Sequence, residues 1–177
     1  PIQYSCQKNF IIGIGDANTH ADRNLPGATG SSEPTKPAAV SSDTTVDALA
    51  ATNKVGALHG IADLGSKQPY GGCCTNNGAL MAGVAYDANA KDIRPDFPNR
   101  QTVQTYWLDV LEGGYKANNQ FYLAAKYGGF TVPEIFDPYA RTTDLDEAWW
   151  YTSTNLVSGQ KQPDNYFTAA RPDLMVS

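Results

Sequence analysis

The 177 residues carry 13 Lys and Arg against 18 Asp and Glu, a net charge of −5, and 41% of them are hydrophobic, with 10 Tyr and 3 Trp. This is enough apolar material for one packed core, so the expectation is a single ordered domain rather than a disordered chain. Isolated Lys and Arg argue against nucleic acid or an anionic membrane as partner, and no apolar run approaches the roughly 18 to 20 residues of a spanning helix.

Taken in chain order, the first element is FIIGIG, residues 10–15. A short continuous apolar run of this kind predicts a strand buried on both faces. It is followed by Asp16, Asn18, His20, Asp22 and Asn24, polar groups at every second position. Beyond the carboxyl end of a strand in a parallel sheet, such oxygens suit a hard cation, Mg²⁺ or Ca²⁺. The spacing imitates the start of an EF-hand loop. It departs from one because His20 occupies the fifth position, Ala21 stands where glycine belongs, and Gly27 replaces the closing glutamate. The plainer alternative is an Asx-rich turn whose side chains bond their own backbone. Gly13 and Gly15 begin a dinucleotide-type loop, but the third glycine is missing.

Residues 24–45 are rich in Pro, Gly, Ser and Thr and predict a mobile surface loop. A helix is expected over 44–62, capped by Asp43 or Thr44 and interrupted at Gly56. Residues 63–77 break the chain again, and 78–90 place Leu80, Met81, Val84, Ala85 and Ala88 on one helical face. The β-branched and aromatic residues of 102–112 predict a second buried strand. A further helix should start at Asn118 or Asn119 and end at Gly128 or Gly129. Residues 148–154 suit either a third strand or an aromatic loop, and 163–177 suit a strand followed by the opening of a helix. The alternation implies an α/β fold with a parallel sheet and helices on its faces.

Catalytic signatures are thin. There is no G-x-S-x-G elbow, no H-E-x-x-H, and no serine close in sequence to His20 or His59. Glu112, Glu134, Asp144, Asp146 and Glu147 near Trp149 and Trp150 could form a glycosidase-like carboxylate pair, but a solvated acidic surface is the ordinary explanation. A hydrolase triad is thus unsupported. Two further readings are a carbohydrate-binding module using Trp149, Trp150 and nearby tyrosines as platforms, and an α/β enzyme with a pocket near Asp16. The three cysteines, Cys6, Cys73 and Cys74, do not form a zinc pattern. They allow a bridge from Cys6 to either neighbour, a vicinal Cys73–Cys74 ring, or three free thiols.

Three blocks carry a family resemblance: PIQYSCQKNFIIGIGDANTHADRNLPG, AGVAYDANAKDIRPDFPNRQTVQTYWLDVLE and QKQPDNYFTAARPDL. In order and wording, above all D-I-R-P-D and P-D-N-Y-F, they resemble the N-terminal module of the PilY/PilC-type proteins, the tip-associated adhesins and biogenesis factors of bacterial type IV pili. The resemblance implies the second half of a von Willebrand factor A-like domain, with 24–45 and 63–77 as loop insertions. It also implies parallel strands ending near Gly15, Val110 and Tyr151, with 10–15 on the side of the missing half. Asp16 would be one arm of an adhesion-type metal site for Mg²⁺ or Ca²⁺, incomplete here because no D-x-S-x-S loop occurs. The start at Pro1 agrees with a piece of a longer product. The family further implies a non-enzymatic role, an extracellular place at the pilus tip, a Cys6 bridge to Cys73 or Cys74, and work through protein contacts in pilus assembly, surface attachment and twitching. Its partners would be minor pilins, the rest of its own polypeptide, and host or abiotic surfaces.

Overall fold

The two apolar runs of the sequence pair with each other in parallel. In the computed structural model, which describes residues 2–16, 21–30, 34–67, 78–111 and 114–169, β1 (Asn9–Gly15) lies beside β2 (Val103–Asp109). The register runs from Asn9 opposite Val103 to Gly15 opposite Asp109. A third parallel strand, β5 (Tyr166–Thr168), pairs with the end of β2, so the sheet order is β1-β2-β5. Between these lie α1 (Ala38–Ser41), α2 (Ala48–His59), α3 (Leu80–Ala90) and α4 (Gln120–Gly129). A 3-10 turn (Glu147–Trp149) and a small hairpin, β3 (Leu156–Val157) and β4 (Gln160–Lys161), precede β5. The hairpin turns at Ser158 and Gly159, both with positive φ, the conformation that two-residue turns between twisted strands require. This is the α/β fold with a parallel sheet and flanking helices that the alternation implies.

Local signals explain the helix ends. The Asp47 carboxylate accepts from Ala50 N at 2.8 Å and starts α2, and Gly60, left-handed at φ 79°, ends it. Asp43, the expected cap, instead closes a tighter turn by accepting from Thr45 N and Oγ1. Gly56 does not interrupt α2. A side chain there would press on Leu64 Cβ at 2.6 Å, so its bareness lets the chain after the helix fold back against it. Asn119 caps α4 by accepting from Phe121 N and Tyr122 N, both 2.9 Å. The core sits among α2, α3 and α4, with Val55, Leu58, Tyr86, Leu123, Tyr127 and Phe130 buried.

Two expectations are corrected. Residues 148–154 take the aromatic-loop alternative, so no strand ends near Tyr151; Trp149 stacks on Phe130 while Trp150 is buried beside it, and two consecutive rings directed at one core need a tight turn, since a strand would send them to opposite faces. The third strand lies instead in the P-D-N-Y-F block, where Asp164 accepts from Thr152 and Asn165 Nδ2 donates to Thr105 O at 3.2 Å. The strand at 10–15 is not buried on both faces. Phe10, Ile11, Ile12 and Ile14 are 51%, 53%, 73% and 67% exposed, because β1 is an edge and the helices cover one face of the sheet.

The loop over 24–45 is irregular and largely exposed, yet it carries α1 and is tied down where it is described. Lys36 Nζ donates to Leu25 O and Ala28 O, and Ala48 N donates to Pro26 O. The D-I-R-P-D block clips the N-terminal segment to β2. Asp92 accepts from Arg94 N and Gln101 N, Arg94 pairs with Asp96 and donates to Ile2 O, and Gln101 Nε2 donates to Ser5 O.

Candidate functional site

Side chains on a strand alternate, so the register divides the sheet into two faces. Thr105 and Trp107 of β2 meet the helices. A side chain on Gly128 of α4 would touch Thr105 Cβ at 3.0 Å, and the Trp107 ring stacks on Phe121 with centroids 4.1 Å apart. Trp107 lies flat over Gly13 of β1, which has room for no Cβ, and Gly15 sits near Phe121. The two glycines therefore serve packing inside a strand and do not form a phosphate-binding turn.

The opposite face presents Phe10, Ile12 and Ile14 of β1, Gln104, Tyr106 and Leu108 of β2, and Phe167 of β5. No described element lies over it. Phe10 and Tyr106 meet edge to face at 5.9 Å, and Phe167 is 48% exposed. At the amino ends of the strands two shallow grooves, of about 500 and 490 Å³, share Arg100, Thr102 and Gln104. The face is apolar toward the carboxyl ends and polar toward the amino ends. The strand residues on it carry no charge, Arg100 lines both grooves at its amino end, and among the described residues no strand pairs with the outer edge of β1.

At the carboxyl ends of the strands stands Asp16, directly after β1, where the sequence expects it. Among the described residues no three His, Cys, Asp or Glu side chains converge as a metal cluster. Taken alone, the described residues therefore do not build a cation site. Asn24 ties down the loop that follows it and forms no Asx turn: its Nδ2 donates to Pro34 O and its Oδ1 accepts from Gly30 N, partners ten and six residues away. Asn18, His20, Cys73, Cys74, Glu112 and the helix opening after 169 lie outside the described residues; Cys6 is exposed with a free thiol.

Sequence reasoning missed the acid that the fold uses most fully. Asp109, buried at the carboxyl end of β2, accepts from Leu111 N at 3.0 Å, Asn119 Nδ2 at 3.0 Å and the Tyr166 hydroxyl at 2.5 Å. Burial, then the bond to Asp109, pushes the Tyr166 hydroxyl far above its ordinary range. Asn119 thus holds α4 by one side-chain atom and ties it to the sheet by the other. The signal available in the sequence was an aspartate closing a strand, in T-Y-W-L-D, with a helix cap ten residues on.

A second polar network joins α2 to α4. Lys126, with a side chain only 2% exposed, pairs with Asp144 at 2.8 Å and lies 4.2 Å over the Trp150 ring. Tyr127 donates to Asp144 Oδ1 at 2.7 Å. His59 Nδ1 lies 3.0 Å from the Tyr127 hydroxyl and Nε2 lies 3.0 Å from Asn118 Oδ1. Burial pushes the Lys126 ammonium down against the support of Asp144. Burial and then the Lys126 charge push His59 down. Burial alone would raise Asp144, but its bonds to Lys126 and Tyr127 hold it below the usual carboxylate range.

Three of the five carboxylates grouped as a possible pair are separated among cations: Asp144 with Lys126, Asp146 with Arg141, Glu147 with Lys161. Trp149 is sandwiched by Phe130, Phe136 and Arg141. With Lys126 over Trp150, neither indole offers an open sugar platform.

No family model matches the chain, and no solved structure matches it. A curated relative does: the type IV pilus biogenesis factor PilY1 homolog of Xylella fastidiosa (strain Temecula1 / ATCC 700964) is 40% identical over 196 aligned positions. The alignment covers 100% of this chain and 16% of the relative, so the chain spans about a sixth of that protein's length. No helix among the described residues is long and apolar enough to cross a membrane. Matched from end to end at this level of identity, the chain belongs to the PilY1-type family of type IV pilus biogenesis factors.

Proposed function

We propose that the chain is the second half of a von Willebrand A-like module in a pilus tip-associated adhesin, exported to the cell surface and working through protein contacts in pilus assembly, surface attachment and twitching. Its partners on this reading are minor pilins, the rest of its own polypeptide, and the host or abiotic surface. One observation supports it above the others: the parallel order β1-β2-β5 leaves β1 on the outside with Asp16 at its carboxyl end. In open parallel sheets ligands gather at that end. Asp16 would be one arm of a Mg²⁺ or Ca²⁺ site whose other oxygens come from elsewhere in the polypeptide. A bound cation would supply an attachment point for a carboxylate of a partner; this chain's own share is to hold Asp16 at a strand end fixed by the Val110 N to Gly15 O bond at 2.9 Å. Cys6 would bridge to Cys73 or Cys74 on export.

Calorimetric titration of the full-length protein with Mg²⁺ and Ca²⁺, beside the same protein carrying Asp16→Ala, tests the site. Binding that disappears with Asp16 is expected, together with loss of surface attachment. Unchanged binding would assign the cation to another place. Normal piliation, attachment and twitching in cells whose protein lacks residues 1–177 would remove the functional reading itself.

A further inference from the structure

The polar network between α2 and α4 holds more than an ion pair: it lines up an amine, a base and an acyl group around one buried lysine. Lys126 Nζ lies 2.8 Å from Asp144 Oδ2, and its side chain is only 2% exposed. His59 Nδ1 is 3.4 Å from the same nitrogen. On the other side of the ring, Nε2 faces Asn118 Oδ1 at 3.0 Å, an amide orientation that Gln160 Nε2 fixes by donating to the same oxygen. Nε2 therefore carries the ring proton, and Nδ1 turns a lone pair toward the ammonium. On the acyl side, Asp144 Oδ1 accepts from the Tyr127 hydroxyl and from Leu145 N, both at 2.7 Å. Two donors on one oxygen, with the other oxygen facing the amine, suit the charge of a tetrahedral intermediate. The rings of Tyr127 and Trp150, 5.0 and 4.2 Å from Nζ, shield the lysine from water. Asp144 is 44% exposed, which gives a released water a way out.

We infer that Lys126 and Asp144 condense into an intramolecular isopeptide bond, with His59 as the base and with the Tyr127 hydroxyl and Leu145 N–H holding the oxyanion. The ammonium passes one proton to Oδ2 along their hydrogen bond, which leaves a neutral amine beside a carboxylic acid. The amine lone pair attacks Asp144 Cγ, the N–C bond forms, and the carbonyl electron pair moves onto Oδ1. His59 Nδ1 takes the second proton from the nitrogen. The oxyanion then collapses, the Cγ–Oδ2 bond breaks, and the departing hydroxide leaves as water with the proton that His59 returns. One amide and one water replace one ammonium and one carboxylate, and neither an oxidant nor a cofactor is needed. Fixed contact favours the step, since well-oriented groups within one molecule reach effective concentrations of roughly 10⁵ to 10⁸ M. Condensation also removes two charges from a largely dry site, and with them their desolvation cost. Burial already pushes the Lys126 ammonium down, toward the amine. The bonds that hold Asp144 ionised oppose the first proton transfer, so the reaction is slow and the ion pair is its resting reactant. The product ties α4 covalently to the segment that leads into Trp149 and Trp150. This modification goes beyond the proposed function and does not rest on it.

Peptide mapping of the full-length protein by mass spectrometry tests the bond. Trypsin does not cut after an acylated lysine, so the linked chain should yield residues 117–141 joined to residues 142–161, lighter by one water than the two peptides summed. Fragmentation should place the link between Lys126 and Asp144. Followed over time after cell-free synthesis, the linked fraction should rise in the parent and stay at zero in Lys126→Arg, which keeps the charge and removes the amine. In His59→Gln and Tyr127→Phe it should rise at least about tenfold more slowly. Recovery of the parent's two peptides only in unlinked form, after prolonged incubation of protein that still resists protease, would overturn the inference. A link from Lys126 to Asp146 or Glu147 would overturn it too. Equal rates in the parent and in both slowed variants would overturn the roles given to His59 and Tyr127, and with them the reaction as written.

Discussion

The same three strands build both faces of the sheet, yet the faces are made differently. Toward the helices the side chains are fitted by size: Trp107 over the bare backbone of Gly13, Thr105 against Gly128, and Phe121 stacked on the indole. Away from the helices they are simply large and apolar, in rows of Phe10, Ile12 and Ile14 beside Tyr106 and Leu108. The fitted face records contacts that this chain completes. The other is apolar with no described element laid over it. A strand's composition reports the surroundings it was selected for, and these can exceed what the local segment supplies.

The sharpest way to break that comparison is to truncate one residue from each side. Leu123 of α4 is wholly buried in the fitted core, and Leu123→Ala should cost about 2–5 kcal/mol through lost burial and the cavity left behind. Ile12, 73% exposed, should cost within about 0.5 kcal/mol as Ile12→Ala in the 177-residue chain. Urea unfolding of both variants reads the difference. An Ile12 variant as damaged as the Leu123 variant would mean that the face is already covered in the isolated chain.

A smaller effect sharpens the account of how the fitted side tolerates charge. Lys126 is buried, while Asp144 is 44% exposed. Asp144→Ala leaves an ammonium in the core with His59 as its nearest polar neighbour, at 3.4 Å. We expect a cost of about 1–2 kcal/mol, above that of a surface pair but reduced by the solvent that reaches Asp144. Adding Lys126→Met removes the stranded charge and keeps the stem against Trp150, so the double variant should recover more than half of the loss. Additive losses in the denaturation midpoints would show that the pair is not coupled.

Much of the fold could be read from the sequence because its signals are local. The apolar runs at 10–15 and 102–112, the Asn119 cap and the glycines closing α4 each act within a few residues, and each appears where expected. What failed depended on distant partners. Trp149 and Trp150 suit a strand by propensity, but the core formed by α4 draws both inward and imposes a turn. The Asp43 cap lost to Asp47 because Ala48 N is anchored by Pro26 O, far back in the chain. Burial of β1 was misjudged because periodicity cannot tell whether the covering layer belongs to the same segment. At the candidate site only Asp16 was legible, by its place after a strand. Asp109, Tyr166 and the bare face around Gln104 emerge from register alone.

The smallest expected effect concerns pH, and its origin is confined to the fitted side. His59 closes α2 facing Lys126, Tyr127 and Asp144 from α4 and the loop after it, with Asn118 on its other nitrogen and the edge of Tyr122 at 6.3 Å. With Nε2–H donating to Asn118, a proton added to the folded chain as pH falls would enter at Nδ1, toward the Lys126 ammonium. Burial and that charge therefore lower its affinity for protons in the folded chain below the ordinary value of 6.5. In the unfolded chain the ring titrates normally. As pH falls below about 6.5 the unfolded state takes up the proton first, so stability is complete above that pH and declines as pH drops through the lowered folded value. The slope cannot exceed about 1.4 kcal/mol per pH unit. Asp144, whose carboxyl is also lowered, adds its own loss only below the ordinary carboxylate range, so the two are separable. Urea midpoints at pH 8, 7, 6 and 5 should decline only over the last two steps, and His59→Gln, which keeps an amide donor toward Asn118, should flatten that decline. If the His59→Gln chain loses stability in parallel with the parent, the proton enters elsewhere and the network around Lys126 is not what sets the response.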